Sequence, residues 1–406
     1  MNIFLVLIIA LLIIIVLLRF KLQIGLCMLA SGIFIWLIES AKFSALATAF
    51  VQNFLMARTY DIVFALYFVM CLEIELRKSG ALTDMLKALR RIFSGVKTLL
   101  AAMPAFLGLL PSVGGARFSA PIVEELSENL NLSAEHKSAI NFWFRHLFEF
   151  SSPIIPGMIL AYSIIGVTFG EFIKHLAWVT VLAIAVGWII LIRPIKVSRE
   201  KILQESREEI LHEKHGLFLA LSSITAIFLI VVFGKLSASI STFIVVIALY
   251  FVLKIIKRPV SFKEIFWGAF DLKMTLNILC ILYFTQILDA TEVLDKIVSA
   301  FRASPLPVPV IIACVSFIVG ILTGMSQGHC AIVMPIVAAM GTDNLNLAGI
   351  AMAYGVAGQM LTPTHVCLIV TLDYFKSDLL RTLKPIAICE ILLLAIFSIY
   401  TYFSWD

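Results

Sequence analysis

The sequence predicts an all-α integral membrane protein, with about ten transmembrane helices plus two re-entrant hairpins in an inverted-topology repeat. Three observations predict it. Of the 406 residues, 61% are hydrophobic and 14% charged, with a mean hydropathy of +1.03, whereas a soluble domain carries roughly 25% charge. Apolar runs recur along the chain at the length of about 20 residues that a helix needs to cross a bilayer. Two glycine-bearing stretches read as copies of each other: Ser112-Val-Gly-Gly-Ala-Arg-Phe-Ser-Ala-Pro-Ile-Val123 and Ser326-Gln-Gly-His-Cys-Ala-Ile-Val-Met-Pro-Ile-Val337. Ser112 falls on Ser326, Gly114 on Gly328, and Pro121-Ile-Val on Pro335-Ile-Val.

The first run, Ile3 to Leu18, precedes its positive charges Arg19 and Lys21. A cleavable signal peptide has the reverse order, so this is read as a first spanning helix with its N-terminus outside. Spans follow near 22–40, 60–77, 140–168 and 176–195, then 216–234, 237–256, 272–290, 346–372 and 385–403. The stretches 98–124 and 306–340 carry the glycine-bearing motifs near their centres and are followed by polar residues. They are read as hairpins that enter and leave on one side. The stretches 81–97 and 257–270 read as amphipathic helices at the inner interface, with Leu82, Met85, Leu86, Leu89 and Ile92 on one face. Residues 196–215 carry charges of both signs and read as a cytoplasmic linker.

This layout puts 22 of the 31 Lys and Arg on the inner side and six outside, as the positive-inside rule requires of a cell (inner or plasma) membrane protein. Both termini are expected outside. Residues 1–195 form the first repeat (hairpin 98–124, broken helix 140–168). Residues 216–406 form the second (hairpin 306–340, broken helix 346–372). The two have the same order of elements but start on opposite sides of the membrane, an architecture of secondary transporters.

The repeat extends past the hairpins. Asn129-Leu-Asn-Leu-Ser-Ala134 resembles Asn344-Leu-Asn-Leu-Ala-Gly349, and each leads into an interrupted helix. One interruption is Glu149-Phe-Ser-Ser-Pro-Ile-Ile-Pro-Gly157, the other Gln359-Met-Leu-Thr-Pro-Thr-His365. Proline removes a helical hydrogen bond. Irregular backbone at membrane depth is tolerated only where it is buried in protein or lines a cavity, so paired breaks point to a substrate site.

A half-helix that starts inside the membrane presents N–H groups and a positive dipole end to an anion. One that stops there presents carbonyls to a cation. The candidate substrate-binding residues are therefore Ser112, Gly114, Gly115, Arg117, Ser119, Ser326, Gln327, Gly328, His329, Thr362, Thr364 and His365. Candidates for the coupling ion are Glu149, Ser151 and Ser152, with Na⁺ sites conceivable at Ser112, Ser151, Ser326 and Thr362. Arg117 is a bidentate donor suited to carboxylate, phosphate or sulfate, or a structural partner of Glu149 or of the hairpin's own carbonyls. Glu149 could carry a proton, ligate Na⁺ or pair with Arg117 or Arg145. His329 and His365 could bind substrate or titrate, or serve as satisfied polar core residues. Asn277, Gln286, Asp289, Glu73 and Glu75 read as packing or interfacial groups.

Other classes are poorly supported. GxxxxGK[ST] and HExxH are absent; His146-Leu-Phe-Glu149 is only superficially like a metalloprotease motif. An enzyme or an ATP-driven pump is not expected, and no cofactor is called for. No basic face with stacking groups suggests nucleic acid. The seven cysteines lie in apolar segments without CxxC spacing, which favours packing over a disulfide framework or a zinc site.

The twin hairpin motifs, twin broken helices and inverted halves resemble the ion transporter superfamily, which includes dicarboxylate, citrate, gluconate and lactate carriers and Na⁺/H⁺ antiporters. The likeness is closest to a prokaryotic ten-helix membrane protein family within it. The tips read Ser112-Val-Gly and Ser326-Gln-Gly where sodium–dicarboxylate members carry Ser-Asn-Thr. The resemblance implies that Ser112 to Gly115 and Ser326 to His329 form hairpin tips, and that Ser151 to Pro153 and Thr362 to His365 form helix breaks. It also implies a homodimer with elevator-like movement. The expected function is a secondary active transporter for a small organic, carboxylate-like anion coupled to Na⁺ or H⁺ in the lipid bilayer. The alternative is a cation/proton antiporter.

Overall fold

The computed structural model describes residues 3–20, 22–93, 95–109, 116–197, 207–341 and 344–405, without the side chains of Phe4, Arg117 and 207–215. The regular elements among them are all helical. In lipid this is one of the few ways for a chain to satisfy its own backbone polar groups.

Helices α1 (Ile3–Arg19), α2 (Ile24–Glu39) and α3 (Phe43–Leu55) lead to α4 (Ala57–Lys78). A break at Met56 bends α3 from α4 by 57°. The amphipathic α5 (Ala81–Ile92) precedes the arms of the first hairpin, α6 (Val96–Gly108) and α7 (Ala116–Leu126). The first interrupted helix comprises α8 (Ala134–Arg145), a 3₁₀ turn over Leu147–Phe150, and α9 (Pro156–Ile165). Next come α10 (Phe169–Gly187), which runs on into a π turn, α11 (Arg207–Val232), α12 (Ala238–Ile255) and the short α13 (Phe262–Gly268). Then follow α14 (Leu272–Ala290), α15 (Val293–Arg302), and the second hairpin, α16 (Val308–Thr323) and α17 (Ser326–Ala339). The second interrupted helix is α18 (Leu345–Met360) with α19 (Val366–Phe375), and α20 (Leu379–Ser404) closes the chain.

Among the described residues, four uninterrupted stretches are long and apolar enough to cross a membrane: 169–192, α12, α14 and α20. The bent pair α3–α4 makes a fifth, and most remaining apolar helices are 10–17 residues long. The expected linker 196–215 falls partly outside the described residues. From Arg207 onward it is continuous with the apolar helix that follows. In α5 the buried face is Ala81, Met85, Ala88 and Leu89, whereas Ile92 is exposed. The helix ends at Ile92 and leaves that side chain beyond the contact.

The chain divides into two compact units that do not follow the two halves of the sequence. Unit one is Met1–Phe64, Pro156–Thr168 and Asp271–Thr362; unit two is Ala65–Ile155, Phe169–Phe270 and Pro363–Asp406. Each therefore holds one hairpin and one half of each interrupted helix. In unit one, α16 packs along α18 and α17 packs on α9. In unit two, α6 packs along α8 and α7 packs on α19. The pairing rule is the same in both. A hairpin's first arm lies on the first half of its own interrupted helix, and its second arm lies on the second half of the other.

Small residues set these distances. A Cβ on Gly358 would overlap the Phe317 carbonyl, so α16 and α18 touch backbone to backbone. Such approach is how helices associate where lipid supplies no hydrophobic drive. Between α2 and α14, the Gly25 amide donates to Asn277 Oδ1 at 2.6 Å, which gives Asn277 the packing role expected for it.

Candidate functional site

Both interruptions fall where proline marks them. Helix α8 is capped at its start by Ser133, whose hydroxyl accepts the His136 amide, and it stops at Arg145. After the 3₁₀ turn the backbone is irregular through Ile155, and Pro156 opens α9. Proline suits a first helical position because the N–H it lacks would have no partner there. Helix α18 stops at Met360, Pro363 lies in the gap, and α19 opens at Val366.

In unit one, Gly324 ends α16 with a φ of 65°, a left-handed conformation that glycine adopts without strain. Met325 is extended, and α17 starts at Ser326. Gly157, in the first turn of α9, lies so close to Ser326 that a Cβ would overlap the serine side chain. Two helix N-termini thus meet, which places two positive dipole ends together. Ser326 and Gly328 are buried and Gln327 is half-buried. His329 is fully buried beneath Gly355, where any side chain would overlap its ring. Its Nε2 has no hydrogen-bond partner among the described residues. Gln359 and Thr362 are buried in the same unit.

In unit two, a polar seam runs between α8 and α19. Ser138 Oγ lies 2.7 Å from Ser377 Oγ. Asn141 Nδ2 donates to Thr371 Oγ1 at 3.1 Å, and that hydroxyl donates to the Cys367 carbonyl at 2.7 Å. The Arg145 guanidinium lies beside the Cys367 sulfur. His146 Nε2 lies 3.1 Å from His365 Nε2. Positions 138, 141 and 145 share one helix face by their i, i+3, i+7 spacing. The Phe142 ring packs on both imidazoles, with centroids 4.7 and 5.0 Å away. His146 Nδ1 is 2.7 Å from the Phe142 carbonyl and donates to it, which leaves a lone pair on Nε2 of the neutral ring.

Arg145 is only 6% exposed, and its Nε and Nη1 have no hydrogen-bond partner among the described residues. Glu149 and Ser152 are buried at the first break, and His365 is buried at the second. Ser151 accepts a hydrogen bond from Thr180 at 2.9 Å, and Ser152 Oγ accepts the Ile154 amide at 3.4 Å. Ser119 is buried and donates back to the Ala116 carbonyl within α7. Thr364 is exposed. Ser112, Gly114 and Gly115 lie outside the described residues, as does the side chain of Arg117.

Sequence reasoning missed part of this cluster. Cys367, read as apolar packing, touches Arg145. Asn141 and His146 were not among the candidate site residues. The available signal was that Arg145 and His146 immediately precede one break and Cys367 closely follows the other. Glu75, expected as a packing or interfacial group, is fully buried in α4, and neither carboxylate oxygen has a hydrogen-bond partner among the described residues.

Comparison with known proteins yields a family and a fold. A family model described as "Protein of unknown function (DUF401)" matches residues 3–403. No curated protein matches. Among solved structures, the chain is similar to the YdaH transporter of Alcanivorax borkumensis, whose crystal structure is described as having an unusual topology. The TM-score is 0.61 at 14% identity, over 91% of this chain and 90% of that one. At that identity the likeness is one of fold.

Proposed function

This chain belongs to the DUF401 family, and from that premise we propose that it is a secondary active transporter for a small carboxylate-like anion, driven by Na⁺ or H⁺. The fold shared with a transporter over nearly the whole chain supports transport. The observation that carries the anion is Arg145. A guanidinium in a membrane interior is costly and marks function. This one is buried at a helix break with two nitrogens still able to donate. A carboxylate takes two such bonds at once. The paired N-termini of α9 and α17 offer the same sign of potential in unit one.

In this reading Ser112, Gly114, Gly115, Arg117, Ser119, Ser326, Gln327, Gly328, His329, Thr362, Thr364 and His365 serve the anion alongside Arg145. Glu149, Ser151 and Ser152 serve the coupling ion, with Ser112, Ser326 and Thr362 as further Na⁺ ligands. Ten spans with both termini outside, inverted repeats, membership of the ion transporter superfamily, and a homodimer working by elevator-like movement complete the proposal.

The test is reconstitution in liposomes with Na⁺ and pH gradients imposed separately and labelled mono- and dicarboxylates screened. Gradient-dependent uptake is expected, and it is lost in Arg145→Gln and Arg117→Gln. No gradient-dependent flux of any carboxylate would sink the proposal. The His146–His365 contact favours a second reading, a cation/proton antiporter. Its flux would persist in both arginine variants and fail in His365→Gln.

A further inference from the structure

We propose that His146, His365 and Cys367 form a binding site for a transition-metal ion of the Zn²⁺ class, clamping the end of α8 to the start of α19. One ligand atom from each residue lies within 4.8 Å of the others. Two imidazole nitrogens on a tetrahedral zinc, each about 2.0–2.1 Å from the metal, sit roughly 3.3 Å apart. Here the two Nε2 atoms are 3.1 Å apart, so the rings need to part by only a few tenths of an ångström. A thiolate at about 2.3 Å from the metal would lie roughly 3.6 Å from each nitrogen. A small side-chain adjustment brings Cys367 into that range.

The surroundings fit a metal ligand set. A zinc-binding histidine usually donates its other ring N–H to a carbonyl, which fixes the tautomer and aims the lone pair. The His146 Nδ1 contact with the Phe142 carbonyl, at 2.7 Å, is that arrangement. Phe142 also walls both rings from one side. Metal binding requires the thiolate form of cysteine, and the Arg145 guanidinium lies beside the Cys367 sulfur. Two nitrogens and one sulfur suit zinc rather than a hard cation such as Na⁺ or Mg²⁺. Three protein ligands leave a fourth position for water or an anion, as in zinc sites that are not purely structural. The ligands come from helices 219 residues apart, so local spacing could not reveal the set.

The test needs no transported solute. The full-length protein, purified in detergent under reducing conditions, is titrated with Co²⁺, and bound Zn²⁺ is counted by mass spectrometry after desalting. One ion per protomer and a thiolate-to-cobalt charge-transfer band are expected. Cys367→Ser should abolish the band and, like His146→Gln and His365→Gln, weaken Zn²⁺ binding by about tenfold or more. Cys314→Ser, at an exposed cysteine, should change neither. The wild-type protein alone can overturn the proposal, by showing no band and no retained ion at micromolar metal. So can a band that survives in Cys367→Ser. Either result would leave the two histidines sharing only a proton. Failure here leaves the anion-carrier proposal standing, because that rests on Arg145.

Discussion

Gly358→Ala should destabilise the protein, although alanine is the better helix former. A Cβ at 358 overlaps the Phe317 carbonyl and meets Ile321 N and Phe317 C at 3.0 Å each. All three obstacles are backbone, so no side chain can rotate away and α16 must retreat from α18. Overpacking of this kind costs about 1–3 kcal/mol, and a purely backbone obstacle belongs at the upper end. Replacing glycine by alanine within a helix returns about 1 kcal/mol. The net loss is therefore about 2 kcal/mol, or roughly a 30-fold drop in the folded-to-unfolded ratio. Gly95→Ala is the control, since its Cβ would meet only Thr98 Oγ1 at 3.6 Å. Denaturant titration of both variants in detergent, beside the wild type, measures the difference. Gly358→Ala matching or exceeding wild-type stability would refute the close helix contact, because propensity alone would then be acting.

Other expectations follow from the same geometry. Asn141→Leu should lose the bond to Thr371 and about 0.6–1.7 kcal/mol of stability, the range for interhelical hydrogen bonds in membranes; a double-mutant cycle with Thr371→Val should return that energy as coupling. Arg145→Lys should not restore uptake, because lysine keeps the charge but lacks the planar fork; uptake at the wild-type KM would remove Arg145 from the anion site. Arg90 donates two 2.6 Å hydrogen bonds to Glu125 and holds its carboxyl below the usual range. The folded value lies below the unfolded one, so the contribution is present above the unfolded value and lost as pH falls through the folded one. Glu125→Gln should therefore melt slightly below wild type at neutral pH, a gap kept small by exposure, and the two melting curves should merge on acidification.

How far the candidate site could be read in advance differs between its two sides. The breaks were legible because proline and glycine act on the backbone locally. Pro153 and Pro363 lie in the two gaps and Pro156 opens α9, positions where a residue without an N–H costs no helical hydrogen bond. The hairpin arms were legible because apolar runs bounded by Gly324 and by polar exits dictate their own lengths. Arg145, His146, Asn141 and Cys367 were not, because each takes its meaning from a partner on another helix. Arg145 alone reads as a charge near a span. Only its burial against Cys367 turns it into a donor with somewhere to donate.

The sequence by itself determined the helical fold, the two duplicated motifs and the positions of the breaks, since backbone chemistry at membrane depth admits few alternatives. The tertiary structure alone decided which half-helix lies on which hairpin. Packing between helices distant in the chain depends on small residues meeting carbonyls, and neither composition nor period records that match. That pairing brings the Arg145–His146 end of α8 against His365 and Cys367, and the chemistry of the site starts there.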